Sequence, residues 1–170
     1  MPKISPKKNK NAYQRTREEL GLTREGASEL LGWISKERIE RIESEKCLPE
    51  PDEVMRMAEV YKNPALCNHF CAKQCSIGCR YVPEIKTKEL AEIILEMLAS
   101  LNSMNKRRER LIEITADGEI EDDEILDFIR IQEELERISV TVETLQLWSE
   151  QMLAGGAINA EKYRELKGKR

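Results

Sequence analysis

The fold is decided by residues 22–49, LTREGASELLGWISKERIERIESEKCLP, which predict two short helices joined by a tight turn. Thr23 and Ser35 are suited to N-cap positions, because a hydroxyl oxygen can accept hydrogen bonds from the free amides of a first helical turn. Gly32 interrupts the apolar pattern between the two caps, where a turn residue is expected. We therefore expect the first helix to end at Gly32 and the second to begin after Ser35.

The second of these helices is amphipathic. Ile39 and Ile42 are three residues apart, so both fall on the side of the helix that faces the core. Long polar side chains occupy the outward positions, namely Lys36, Glu37, Arg38, Glu40 and Arg41. A polar helix that is braced by a partner helix is the device with which helix-turn-helix proteins enter the DNA major groove.

Residues from about 10 to 62 resemble the Xre family of lambda-repressor-like helix-turn-helix regulators. The resemblance is carried by the Leu22-Thr23 entry, by Gly32 in the turn, by the run from Ser35 to Lys46 with its Arg-Ile-Glu triplet, and by the Pro49 exit before another amphipathic helix. It covers roughly a third of the chain. It implies five short helices that bind operator DNA, usually as a dimer.

The residue types of this segment predict distinct DNA contacts. Base edges are the expected targets of the N-terminal part of the second helix, since an arginine fork can donate to both major-groove acceptors of guanine. Phosphates are the expected targets of Arg24, Arg41 and Lys46. The full predicted set is Arg24, Ser35, Lys36, Glu37, Arg38, Arg41 and Lys46. The competing interpretation is a solvated helix face, because the segment holds nearly as many acids as bases.

Composition favours an all-α protein. Of the 170 residues 40% are hydrophobic but only 5% are aromatic, glycine and proline are few, and no alternating strand pattern stands out. The net charge is -4, yet residues 1–17 contain six basic residues and no acid. We expect this basic N-terminal arm to lie near phosphates or to act as a solubilising tail, and the acidic residues 84–170 to be repelled by DNA.

The cysteines cluster after the DNA-binding segment. Cys67, Cys71, Cys75 and Cys79 recur every four residues, and the chain's one histidine, His69, lies among them. Three interpretations stay open: a zinc or iron–sulfur site with His69 as a substitute ligand, a reversible disulfide, or small buried apolar side chains. A straight helix would spread these thiols along a stripe, so metal binding requires that the helix break near Gly78.

A different pattern begins near residue 86. Apolar residues recur at alternating spacings of four and three, which is typical of a coiled-coil seam; the first such set is Leu90, Ile94, Met97, Leu101 and Met104. A second set follows a turn at residues 116–118, and it includes Ile125, Phe128, Ile131, Leu135, Ile138, Val142 and Leu145. We expect an antiparallel helical hairpin, which a second copy would complete as a four-helix bundle.

These observations predict four segments: a helix-turn-helix domain at 1–62, a cysteine-rich connector at 63–85, a dimerisation hairpin at 86–156 and a polar tail at 157–170. The predicted function is sequence-specific regulation of transcription by a homodimer on double-stranded DNA, with the cysteine segment as a metal- or redox-sensitive element. The alternative is a helical adaptor that keeps the domain but has lost DNA binding. No catalytic constellation is recognisable, so an enzyme is not expected.

The sequence also carries expectations about location. Its N-terminus is followed by polar residues rather than by the apolar core of a signal peptide. No apolar run approaches the ~20 residues that a membrane-spanning helix needs. We therefore expect a cytoplasmic protein without a membrane partner.

Overall fold

In the computed structural model of the chain, which describes residues 10–116 and 118–168, all regular secondary structure is helical. The helices are α1 (Ala12–Glu19), α2 (Arg24–Leu31), α3 (Lys36–Glu43), α4 (Pro51–Val60), α5 (Ala65–Lys73), α6 (Gly78–Tyr81), α7 (Leu90–Ile114), α8 (Ile125–Ala154) and α9 (Ala160–Lys167). The predicted all-α class is confirmed, with five short N-terminal helices and a long C-terminal hairpin. Of the six basic residues predicted to form an arm within residues 1–17, Lys3, Lys7 and Lys8 fall outside the described residues, whereas Arg15 and Arg17 belong to α1 and Lys10 precedes it.

The helices form two compact units. One contains the residues up to 84 together with those from 149 onwards, and the other contains residues 85–148. This division lies within one residue of the boundary predicted at 86, whereas no division falls at 62. Leu66 of α5 is only 2% exposed and packs into the core of the first unit, so the cysteine segment is part of that unit rather than a connector.

The core of the first unit is built from the apolar faces of its first five helices. Its buried members are Tyr13, Ala27, Leu31, Ile34, Ile39, Ile42, Val54, Met57, Ala58, Tyr61 and Leu66. Complete burial of a side chain such as Ile39 stabilises the fold by about 1.5–3 kcal/mol. The inward face predicted for α3, with Ile39 and Ile42, is therefore confirmed.

The second unit contains most of the helical hairpin. Ser103 of α7 donates to Glu134 of α8, and further along α7 Arg110 donates to Asp127. Because the residue number rises on one helix as it falls on the other, α7 and α8 are antiparallel. Ile93, Ile114 and Ile131 are almost fully buried in this unit.

The line of contact within the hairpin differs from the predicted seam. On α7 the buried residues are Ile93, Ser100 and Ile114, whereas the predicted seam residues Leu90, Ile94 and Leu101 are 38–44% exposed. On α8, Ile131 is buried as predicted, but Leu135 and Val142 are exposed. The apolar stripe is wider than one helix–helix contact can cover, and part of it faces outwards.

Across residues 10–116 and 118–168, none of the helices combines the length and the apolar content that crossing a membrane requires.

Candidate nucleic-acid interface

The helix-turn-helix is set by two caps and one glycine. The Thr23 hydroxyl accepts a hydrogen bond from the Gly26 amide at 3.1 Å, and the Ser35 hydroxyl accepts from the Arg38 amide at 3.2 Å. Between them, Gly32 has a φ of +85°, a conformation that side chains disfavour. These features start and stop α2 and α3 as the sequence predicts.

The turn between the two helices divides its apolar residues. Ile34 is 1% exposed and joins the core, whereas Trp33 is 60% exposed. The Ser28 hydroxyl of α2 donates to the carbonyl of Ile34 at 2.8 Å, which fixes the turn from the inside. The start of α3 is therefore held by packing as well as by its cap.

A buried ion-pair network connects α1, α2 and α3. The carboxylate of Glu43 is 1% exposed; it accepts from Arg17 at 2.5 and 2.9 Å and from Arg24 at 2.8 Å. Burial alone lowers the pKa of the Arg17 guanidinium, but the hydrogen bond to Glu43 and the charges of Glu43 and Glu18 together raise that pKa above its ordinary value. These charge-assisted hydrogen bonds hold α3 against α1 and α2.

Sequence reasoning missed this network. Glu43 belongs to the Arg-Ile-Glu triplet, and its polar side chain gave no signal of burial. The one usable signal was its position directly after Ile42 and four residues after Ile39, which puts it beside the apolar face of α3.

The outward face of α3 carries the predicted base-reading residues Lys36 and Glu37, both exposed. Lys36 forms an ion pair with Glu25 of α2, and this hydrogen bond raises the pKa of the lysine. The Glu37 side chain makes no hydrogen bond or ion pair with another residue in the described part of the chain. Glu40 lies on the same face, 3.8 Å from Arg24.

Arg38 occupies a different environment from the one predicted. Its guanidinium donates to both carboxylate oxygens of Glu53 at 2.7 Å and to the Leu48 carbonyl at 3.1 Å. It also lies 3.0 Å from the Cys47 sulfur. All of these partners lie beyond the end of α3. The structure therefore makes Arg38 a tie between α3 and α4 rather than an outward-pointing reader of bases.

The three residues predicted to contact phosphates fall into two groups. Arg24 is engaged by Glu43 and Glu40 and is about one-third exposed. Arg41, in the last turn of α3, and Lys46, just after it, are exposed. Neither forms an ion pair with any other residue among 10–116 and 118–168. Of the three predicted phosphate contacts, these two are therefore the more available to an anionic partner.

The four clustered cysteines lie on or beside α5 and α6. Cys67 and Cys71 belong to α5, Cys75 follows its end, and Cys79 is in α6; all four thiols are free. Gly78 touches the backbone of α5, because a Cβ at this position would come within 2.1 Å of the Cys71 carbonyl oxygen. Because α5 ends at Lys73 and α6 begins at Gly78, the predicted helix break near Gly78 is confirmed.

This break does not assemble a metal site. No three cysteine, histidine, aspartate or glutamate side chains in the described ranges converge so that they could hold an ion. The thiols in this arrangement do not fit the ligand set of a tetrahedral zinc centre or of an iron–sulfur cluster, each of which needs several converging donors. The predicted metal site stays a prediction.

Burial shifts the pKa values of two residues in the cysteine segment. Burial, with the nearby Cys71 and Glu150, raises the pKa of the Cys67 thiol, which disfavours the reactive thiolate. Burial and the nearby Lys73 lower the pKa of His69, whose ring packs edge-on to Tyr13 at 5.9 Å between centroids. Tyr13 also donates to Gln74 at 2.8 Å, so these contacts join α5 to α1.

Comparison with known proteins identifies one family. Residues 14–65 match the family model described as helix-turn-helix, and the match spans α1 to α4 and a little under a third of the chain. No curated protein matches, and neither does any solved structure.

Proposed function

Residues 14–65 form a helix-turn-helix domain of the Cro/C1, Xre-like type, and from this premise we propose that the protein is a sequence-specific DNA-binding regulator of transcription that acts as a dimer. The observation that carries the proposal is the exposed face of α3. It presents Lys36 and Glu37 at the helix N-terminus and the exposed cations Arg41 and Lys46 at and beyond its other end.

The residues of this face would make two kinds of contact with DNA. Arg41 and Lys46 would contact phosphates, which gives affinity and register without sequence information. Lys36 and Glu37 would meet base edges, where a lysine donates to guanine and a carboxylate accepts from the amino group of cytosine. Arg38 is a positioning residue, since its bonds to Glu53 and Leu48 fix the helix that carries the readers.

We expect one such domain to bind DNA weakly by itself. Its outward helix face carries two acids beside its two bases, and carboxylates near phosphates oppose binding. Joining two domains adds their binding free energies at a high effective concentration, so a dimer can occupy a site that one domain cannot hold. A two-fold dimer would read a near-palindrome with half-sites one helical turn, about 34–36 Å, apart.

The hairpin offers the surface for that dimer. One side of it is an apolar strip formed by Leu90, Ile94, Leu98, Leu101, Leu135 and Val142, which are 38–52% exposed. Covering apolar surface stabilises an assembly by roughly 25 cal/mol per Å². A second copy is the partner that we propose, because the strip continues the heptad-like pattern of α7 and a two-fold pair of hairpins buries it on itself as a four-helix bundle.

Titration of a labelled random-sequence duplex separates this proposal from the alternative of a protein-binding adaptor. Fluorescence anisotropy at low salt should detect binding of the regulator, and its affinity should fall steeply as salt is added, since counterion release drives phosphate contacts. An adaptor that has lost DNA binding gives no anisotropy change at any salt concentration. That outcome would overturn the proposal.

Modulation through the cysteine segment is a separate part of the proposal. It depends most on Cys79, since burial disfavours the thiolate of Cys67 and Cys79 is the exposed thiol of the four. Because α5 packs on the core of the DNA-binding domain through Leu66, a structural change in the cysteine segment would be transmitted to the core that supports α3. DNA affinity measured with and without reductant and chelator tests it, and equal affinities would remove the switch.

A further inference from the structure

A groove runs between α7 and α8 at the middle of the hairpin, within the second compact unit. Its volume is about 770 Å³, in the range of small-molecule sites in proteins. The polar residues that line it include Glu96, Ser100, Ser103, Glu134, Arg137 and Thr141. None of them belongs to the helix-turn-helix, and the regulator proposed above makes no use of them.

Glu134 gives this groove a chemical preference. The residue is 5% exposed, and its Oε1 accepts from Ser103 at 2.8 Å and from Arg137 at 3.0 Å. Its Oε2 is also buried but receives no hydrogen bond from any residue in the described part of the chain. A buried carboxylate oxygen without a donor is unfavourable, and it is an acceptor for a donor brought by a ligand.

The charge around the groove favours a cationic ligand as the source of that hydrogen-bond donor. Among the described residues that line the groove there are three more carboxylates, those of Glu96, Glu133 and Glu136, and one cation, Arg137. Arg137 is bonded to Oε1 of Glu134, so it leaves Oε2 without a counter-charge in direct contact. Lys88, which lies outside the lining, is bonded to Glu96. The excess of negative charge attracts a cation and repels an anion.

The shape and lining favour an organic cation over a metal ion. Across residues 10–116 and 118–168, no three acidic, histidine or cysteine side chains converge as ion ligands. The groove also has apolar walls from Ala99 and Val140. An ammonium group with a small apolar body would satisfy both the carboxylate and these walls, which is the usual composition of a ligand site.

The groove stays open in the proposed dimer. Successive residues on an α-helix are rotated by about 100°. On α7, Glu96 and Ser103 therefore fall on one side of the buried Ile93, and the strip residues Ile94 and Leu101 fall on the other. On α8, Glu134 is itself buried, and the same construction puts the groove residue Arg137 and the strip residue Leu135 on opposite sides of it. The ligand groove and the apolar strip thus face in opposite directions.

We propose that the groove between α7 and α8 binds a small primary ammonium compound with an apolar body, and that the Glu134 side chain turns so that its Oε2, buried in the free chain, accepts a hydrogen bond from the ammonium group. Such a ligand would bridge the two helices of the hairpin. Its role as an effector of DNA binding rests on the proposed function, but binding itself does not.

Isothermal titration calorimetry on the full chain without DNA tests the site. The probe is benzylamine, which is protonated at pH 7, and the matched control is benzyl alcohol, which has the same ring but no charge. We expect saturable binding of benzylamine below about 10 mM and at least about tenfold weaker binding of the alcohol. Equal binding of both compounds, or no binding of the amine, would overturn the proposal.

Three variants make the test specific to Glu134. Glu134→Gln removes the charge, and Ala99→Phe fills the groove from an exposed position without changing any charge. Each should weaken benzylamine binding by at least about tenfold. Glu109→Gln makes the same chemical change at an exposed residue of α7 outside the groove and should leave binding unchanged. Loss of binding in Glu109→Gln, or full binding in Ala99→Phe, contradicts the assignment.

Discussion

The guanidinium of Arg38 donates to both carboxylate oxygens of Glu53, with nitrogen–oxygen distances of 2.7 Å for each bond. The glutamate completes the junction by accepting from the backbone amide of Glu50 at 2.7 Å, just before α4 begins. This pair fixes the angle between α4 and the helix that carries the proposed base readers.

Replacement of Arg38 by alanine should lower the free energy of unfolding by about 2–3 kcal/mol, because it leaves the nearly buried Glu53 carboxylate without its charged partner. Urea unfolding at pH 7 measures the loss. The matched control is Lys73→Ala, which breaks an ion pair with Glu84 in which both side chains are about half exposed. That change should cost no more than about 1 kcal/mol. Equal losses in the two variants would contradict a structural role for Arg38.

The same pair predicts a loss of stability in acid. Burial raises the pKa of the Glu53 carboxyl, but the hydrogen bonds from Arg38 and from the Glu50 amide, together with the charge of Arg38, outweigh it and the net pKa is lowered. A depressed pKa in the folded state stabilises the fold above the unfolded value of about 4.3, and this stabilisation is lost as the pH falls through the folded value. Unfolding free energies of the wild type and Glu53→Gln should therefore converge as the pH falls below about 4.3. Parallel curves from pH 7 to acid would contradict the assignment.

Arg41 and Lys46 are predicted to contribute affinity but not specificity. Their double replacement by alanine should weaken binding to all duplexes alike and reduce the slope of log affinity against log salt by about 2, since each phosphate contact contributes about 1. Fluorescence anisotropy over a range of salt concentrations measures the slope. Lys162→Ala on α9 removes an exposed charge from another helix and should leave the slope unchanged. An unchanged slope in the double variant would place the DNA elsewhere.

The apolar strip of the hairpin is predicted to hold two copies together. Leu98 is 52% exposed near the middle of the strip, so Leu98→Glu should leave the helical content intact and shift the protein from dimer to monomer. Sedimentation equilibrium measures the mass. Leu95, which is 68% exposed on another face of α7, supplies the control Leu95→Glu, for which the dimer should persist. A monomeric wild type, or dimers in both variants, would exclude this interface.

Local signals in the sequence were enough to place the helix-turn-helix. Thr23, Ser35 and Gly32 act on the backbone within a few residues of themselves, so their effect can be predicted without the tertiary structure. The partner of Arg38 could not be predicted in this way, because Glu53 is fifteen residues away and belongs to another helix. The helical pattern shows that a long polar side chain faces outwards. It does not show which group from a distant part of the chain that side chain will contact.

The hairpin shows a second limit of prediction from the sequence. The heptad-like spacing correctly predicted two long helices, because periodic apolar residues stabilise any helix that has a partner. It did not reveal which apolar residues meet inside the chain, so Ile93 and Ser100 are buried where Ile94 and Leu101 were expected. Small polar residues such as Ser100 lie at the contact, and a pattern search that counts only apolar residues overlooks them.

The account's central claim is that α3 reads base sequence in a two-fold complex, and enrichment from a random duplex library tests it most directly. Wild-type protein should enrich a near-palindromic sequence whose half-site centres lie about 10–10.5 base pairs apart. Glu37→Ala should relax the preference at one base pair of each half-site by about 1–3 kcal/mol of discrimination. Recovery of the input library without enrichment would contradict the claim, as would an enriched sequence that Glu37→Ala leaves unchanged at every position.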